Sequence, residues 1–474
     1  MKRLVSIVVV FLMSLVSAFA DTKITVISDI HVMAPELVVS EGKAWKDFVS
    51  TSRTMLENSP QILSDQVQKL IKDKPDLVLI PGDLTKDGEL ASHQLMISEL
   101  DKLRAAGIKV LVIPGNHDLG TENALIFDGD KTLDATTVSS EQFAELYQQY
   151  GYGSGSERDP KSLSYSCEPI NGLVLIGIDT NRFGKLDSST LSWVCDQAEK
   201  ARSNGKQVLV MMHFLLFPHV SNAEKLPGDY VIKDYDKVCD KLIKAGVSVV
   251  VNGHFHIQEI AKHLDSDKKS SIYQIVTSSL TAYPCAYRQL TLNNDMTKLS
   301  VTTTYIGNKD FQEKAKERLL ECSTKQFMKK EVNDETSANL AAKGFVIHAA
   351  GNENNSSESQ TYLTLYEVTQ IVLRLTGVLD KKLKETGMTW DALNTTVRSM
   401  LTDTSYYGVT GRENRVDDLK VTIDMPKPVA SGISVVEADE ASDAIYTLQG
   451  VRVSAPPKGL YIQNGKLRVA DSKK

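Results

Sequence analysis

Five short blocks of this 474-residue chain carry residue types that bind transition metals. They are Asp29-Ile30-His31, Gly82-Asp83, Gly115-Asn116-His117-Asp118, His213 and Gly253-His254-Phe255-His256. Carboxylate, imidazole and amide oxygen form a borderline-soft donor set, suited to Fe, Mn or Zn rather than to Ca or a thiolate-bound zinc. In an extended chain residues i and i+2 face the same side, so Asp29 with His31, and His254 with His256, are each expected to approach one metal cluster together. The glycines before Asp83, Asn116 and His254 suit sharp turns where the backbone passes close to an ion or an anion. The His213 block, Met211-Met-His-Phe214, is short, and His219 stands near it as an alternative ligand or a substrate contact. His213 is preferred because it directly ends an apolar strand. His93, His263 and His348 have no motif context and read as surface or capping residues.

Elements must bring these blocks together. From Lys23 to about Ile306, short β-rich apolar runs alternate with helical patterns. Strands are predicted at Ile24 to Ile30, Asp76 to Pro81, Lys109 to Pro114, Leu173 to Asp179, Gln207 to His213 and Val247 to Asn252. Helices are predicted at Gln61 to Lys72, Ser92 to Ala106, Ser189 to Ser203 and Asp234 to Ala245. Continuous apolar strands with intervening helices imply an α/β sheet covered on both faces. Gln274 to Ser278, Arg288 to Leu292 and Leu299 to Tyr305 then follow with short connections, as an antiparallel end to the domain. The metal-binding blocks fall just past the carboxyl ends of the strands, where open α/β sheets bind ligands.

The blocks and their order resemble the calcineurin-like metallophosphoesterases over residues 21–308. One block alone would be weak, but five in order, each after a strand, are specific. The resemblance implies a four-layer α/β/β/α sandwich and a site for two divalent metal ions. Carried over residue by residue, it implies Asp29, His31 and His256 on one metal, Asn116, His213 and His254 on the other, and Asp83 bridging both. Two cations about 3.5 to 4 Å apart would neutralise a phosphoester, hold it in line and make a bridging hydroxide near neutral pH. His117 is implied to protonate the leaving oxygen, with Asp118 orienting or charging its ring. Gly82-Asp-Leu-Thr-Lys-Asp-Gly-Glu89 resembles the branch that includes bacterial cyclic-nucleotide phosphodiesterases, although such frameworks also hydrolyse monoesters and pyrophosphates. Arg182 and Tyr283, in loops after strands, read either as contacts to a phosphate or base or as surface side chains. The competing functional class is a binding or adhesion protein with a retained, inactive metal site.

The remaining segments bear on where such a protein works. Lys2 and Arg3 precede an apolar run from Leu4 to Val16 that ends in Ala18-Phe19-Ala20, the layout of a cleavable secretory signal at residues 1–20. Export to the periplasm, cell surface or medium is expected, with no transmembrane segment in the mature chain. Without Lys2 and Arg3, 52 basic residues face 60 acidic ones, so a broad nucleic-acid surface is disfavoured. The odd, widely spaced set Cys167, Cys195, Cys239, Cys285 and Cys322 forms neither a zinc ribbon nor a redox pair; a disulfide and buried free thiols both remain open. Residues 309–424 switch to helix period, with helices at Phe311 to Lys330, Glu335 to Ala349, Tyr362 to Leu383 and Thr389 to Leu401. They read as a separate helical unit that is a cap over the cleft, a docking surface or a packing extension. Residues 425–474 end in two strand-turn-strand patterns, the second around Asn464-Gly465. This tail resembles the sorting tails of exported proteins in some Gram-negative bacteria, which would make export machinery a partner; the alternative is a small sheet packed on the body.

Overall fold

The computed structural model describes residues 21–180, 186–219, 231–330, 335–351, 389, 405–406, 409–410, 417–427, 445–447, 452–453, 459–463 and 466–470. The signal-like segment, Arg182 and the two helices expected from Tyr362 onward lie outside these residues, apart from Thr389.

Leu77–Pro81, Leu173–Ile178, Gln207–Met212 and Val249–Asn252 are buried at every position, as continuous apolar strands covered on both faces must be. They are interior strands of two sheets. One has six strands in the spatial order Lys420–Asp424, Lys298–Tyr305, Ala286–Leu292, Thr22–Val26, Leu77–Pro81, Lys109–Ile113. The other has seven: Glu259–Leu264, Ser271–Val276, Val249–Asn252, Gln207–Met212, Leu173–Ile178, Tyr165–Ile170, Glu157–Arg158. The seven-stranded sheet is parallel in the middle and antiparallel at both edges, whereas the six-stranded one is parallel from Thr22–Val26 out to the edge strand Lys109–Ile113 and antiparallel on its other side. The parallel strands therefore deliver their carboxyl ends, and the loops that follow, to one rim.

The sheets face each other, and the Tyr165 hydroxyl donates to the Val112 carbonyl across the gap at 3.0 Å. Helices Ser59–Asp73 and Leu90–Ala105 pack together outside the first sheet, and Ser188–Ser203 and Tyr235–Lys244 cover the second. The result is the four-layer α/β/β/α sandwich. Pro60 starts the first of these helices, where its missing N–H costs nothing, and Lys74 at φ 50° ends it.

Of residues 309–424, the described parts pack against the body, as a packing extension would. Lys309–Lys330 and Glu335–Ala349 dock on the body, and Lys420–Asp424 returns as an edge strand of the first sheet, paired with Lys298–Thr302. Leu319, Val346 and Ala349 share an apolar cluster with Leu215, Ile257 and Val276. Arg318 donates to both carboxylate oxygens of Glu57 at 2.8 and 2.6 Å and to the Thr54 carbonyl at 3.1 Å. Fully buried Arg288 ties the ends of the two sheets to this returning segment. Its guanidinium donates to the carbonyls of Val276, Glu259 and Asp418.

A four-stranded sheet from Ile445 to Ala470 forms the tail, with Gly459–Gln463 and Lys466–Ala470 paired antiparallel around positions 464–465. The five cysteines are free; Cys239, Cys285 and Cys322 are buried and Cys167 and Cys195 partly so. No described helix is long and apolar enough to cross a membrane.

Candidate binuclear metal centre

The strand predicted from Ile24 to Ile30 ends at Val26, and the reason lies in the backbone beyond it. Asp29, His31, Asp83, His254 and His256 all adopt positive φ, between 46° and 74°. This left-handed conformation costs a non-glycine residue about 1–3 kcal/mol, so surrounding structure must enforce it. It also replaces the extended i, i+2 geometry expected for the two His-containing pairs. His254 and His256 consequently reach different groups of donors.

One group joins Asp29, His31, Asp83 and His256; the other joins Asp83, His213 and His254. Asp83 belongs to both, its Oδ2 lying 3.5 Å from His31 Nε2 and 3.3 Å from His213 Nε2. His256 Nε2 is 3.3 Å from Asp29 Oδ1 and 3.1 Å from His31 Nε2. His213 Nε2 is 3.1 Å from His254 Nδ1 and 3.0 Å from Asn116 Oδ1. His213, not His219, stands beside Asp83. Its Nδ1 faces the Pro81 carbonyl at 2.7 Å, and an N–H donated there fixes the tautomer that leaves Nε2 as a lone pair. Asp29 accepts from the backbone N–H of His254 and from the Ser28 hydroxyl. A Cβ at Gly115 would run into the Asp83 carboxylate, and one at Gly253 into Ser28 and Asp29. Only glycine lets those loops come this close.

The electrostatics fit cations. Burial pushes His31 and His254 down to about 3, so both present neutral nitrogens. Burial also acts on His213, but the Asp83 and Asp29 charges outweigh it and hold that ring up at about 9. That proton balances buried carboxylate charge as a bound cation would, and His213 would give it up on holding a metal ion. Asp83 and Asp29 stay below the usual carboxylate range despite burial, through the charges of the surrounding histidines.

Asp118 helps charge the His117 ring through its own charge, but its carboxylate is hydrogen-bonded elsewhere. Its carboxylate is wholly buried and accepts from the backbone N–H groups of Leu84, Thr85 and Gly115 at 3.2, 2.9 and 2.8 Å, bracing two ligand loops against each other. The partner of His117 is Asp87, whose Oδ1 lies 2.7 Å from Nδ1. Asp87 is fixed in turn by Lys86, and the Lys86 ammonium also lies 3.3 Å from Glu89 and donates to the Asn123 carbonyl at 2.9 Å. Burial would lower the His117 pKa, but the charge of Asp83 and the bond to Asp87 raise it to about 10. The signal for Asp87 was present in the Gly82–Glu89 block, yet only the folded loop reveals which carboxylate meets the ring.

The other histidines are interior residues rather than surface or capping ones. His93 is fully buried between the Tyr147 hydroxyl and the Asp118 carbonyl, each at 2.9 Å. His263 lies near Asp236, and His348 faces His219. Tyr283 is partly buried against the apolar core, with Lys316 over its ring.

Fold and donor set together define a two-metal hydrolase crevice at the strand ends. The calcineurin-like phosphoesterase profile matches residues 22–258, half of the chain. The protein belongs to that family and is a metal-dependent phosphoester hydrolase; the family uses two divalent metals, and the clustered Asp and His residues suit them. Among solved structures the chain is similar to a dimetal phosphatase from Danio rerio, at 13% identity and a TM-score of 0.41 over 60% of this chain and 96% of that one. It is also similar to a purple acid phosphatase from yellow lupin seeds, at 12% identity and a TM-score of 0.39 over 61% and 52%. The family assignment rests on the profile match, not on these distant likenesses. No curated protein matches the chain.

Proposed function

We propose that the protein is an exported phosphoesterase that hydrolyses small phosphodiesters or phosphomonoesters, and that Asp83, common to both donor groups, would serve both of two divalent cations. The observation that carries this reading is the position of Asp83 Oδ2, within 3.5 Å of a histidine from each donor group. Asp29, His31 and His256 would hold one ion, and Asn116, His213 and His254 the other. Bound cations supply charge neutralisation for the phosphate and a strong nucleophile near neutral pH.

The chain's own groups do the rest. Asp83 stays anionic because, against the effect of burial, the charges of His213 and His117 hold its pKa well below the usual carboxylate range, and its Oδ1 accepts the His117 backbone N–H at 2.8 Å. His117, partly exposed at the mouth, is held at Nδ1 by Asp87, which leaves Nε2 to donate a proton to the departing oxygen. The sequence similarity of the Gly82–Glu89 block favours cyclic nucleotides and related diesters as the first substrates to try. Export rests on the signal-like residues 1–20 and the sorting-like tail, and is tested by fractionating cells that carry the chain with and without residues 425–474.

The decisive experiment is a metal-reconstituted activity panel spanning cyclic nucleotides, nucleotide monoesters, phospholipid head groups and dinucleotide pyrophosphates, with Asp83→Asn as control. Hydrolysis that depends on Mn or a similar ion and vanishes in Asp83→Asn is expected. Turnover untouched by that substitution would sink the mechanism.

A further inference from the structure

Away from the Asp83 centre, His219, Glu259 and His348 offer one ligand atom each, all within 4.8 Å of one another, and all three residues are buried. We infer that these three side chains form a separate site for a single divalent transition ion, with zinc the best match, that clamps the Glu335–Ala349 helix to the phosphoesterase body. This site is independent of the catalytic reading.

The donors come from three distant parts of the chain: the segment after strand Gln207–Met212, the first residue of edge strand Glu259–Leu264, and the last turn of the helix. Two imidazoles and one carboxylate are a common zinc donor set, and three protein donors leave a fourth position of the tetrahedron to water. The spacing fits. Two nitrogens about 2.0–2.1 Å from one tetrahedral zinc lie about 3.3 Å apart. His348 Nε2 and His219 Nδ1 are 3.2 Å apart, close to the 3.1 Å that separates His213 from His254 and His31 from His256.

Burial points the same way: His219 and Glu259 are each 2% exposed and His348 1%, so an ion held by them would be shielded from water. The site also adjoins the catalytic loop, since the His219 ring packs 4.4 Å from that of Phe255, between His254 and His256.

The test is to count zinc in the full chain after reconstitution and exhaustive dialysis. Wild type is expected to hold three zinc ions per chain, and His348→Ala and His219→Ala two. An unchanged count in both variants overturns the inference. Anomalous scattering at the zinc edge from crystals of the unaltered protein reads the site without relying on a variant that folds. A peak between His219, Glu259 and His348 supports the clamp, and its absence with the Asp83 centre filled overturns it. Loss of the two catalytic ions in Asp83→Asn with one zinc retained would distinguish this site from the proposed mechanism.

Discussion

The strand-end crevice and the docked C-terminal flank hold polar groups inside the protein by different means. In the crevice, five ligand residues take a left-handed backbone, and paired loops brace one another through Asp118, Ser28 and the close-packed Gly115 and Gly253. Strain is accepted there because it aims lone pairs at common points. On the flank, Lys309–Lys330 uses ordinary helical backbone, an apolar cluster and a rim of ion pairs to Glu57. Substitutions in the crevice should therefore change metal content, turnover or both, while those at the contacts of Lys309–Lys330 with Glu57 should change stability alone.

Asp83→Asn gives the largest effect. Activity should fall by at least about 10³-fold together with metal content, measured by turnover and elemental analysis. His117→Ala should lower kcat by about 10²–10⁴-fold with the metals retained, which separates proton delivery from ligation. Asp87→Asn should cost about 10–100-fold in kcat and shift the pH profile, because the ring loses its orienting carboxylate. If Asp118→Asn matched that shifted profile, the assignment of Asp87 would fail. Arg318→Ala should remove about 1–3 kcal/mol of unfolding free energy in denaturant titrations and leave kcat nearly unchanged.

The smallest effect is a pH dependence of the flank. Burial pushes the Glu57 carboxyl up, but the hydrogen bond from Arg318 and its charge hold it below 4.5 overall. A depressed folded pKa means that its contribution is complete above 4.5 and is lost as pH falls through the folded value. Thermal stability of wild type should then drop more steeply below pH 4.5 than that of Arg318→Ala. Parallel curves would remove Glu57 from the account of the flank.

What was legible in the sequence follows the same division. The metal blocks could be read because type, order and position after apolar strands coincide, and the central strands because burial on both faces leaves an unbroken apolar run. The end of the first strand, expected at Ile30, falls at Val26, since positive φ at Asp29 and His31 has no sequence signature outside glycine. Edge strand Glu259–Leu264 mixes Glu, Lys and His with apolar residues and gave no strand signal. The grouping of His219, Glu259 and His348 depends on tertiary contact between segments with no shared motif. Within residues 309–424 the Lys420–Asp424 strand escaped for a comparable reason: it is recognisable only beside the edge it covers.

That returning strand also sets an order of events during synthesis. Thr22–Val26, near the start of the described chain, occupies the middle of the first sheet, while Lys420–Asp424 closes its edge, and Arg288 waits for the Asp418 carbonyl. A growing chain that has already placed every catalytic ligand still exposes the outer edge of Lys298–Tyr305, an open template for strand pairing with other chains. The catalytic half cannot finish folding ahead of the remainder, so premature termination anywhere before residue 420 should yield aggregation-prone protein rather than a smaller working enzyme.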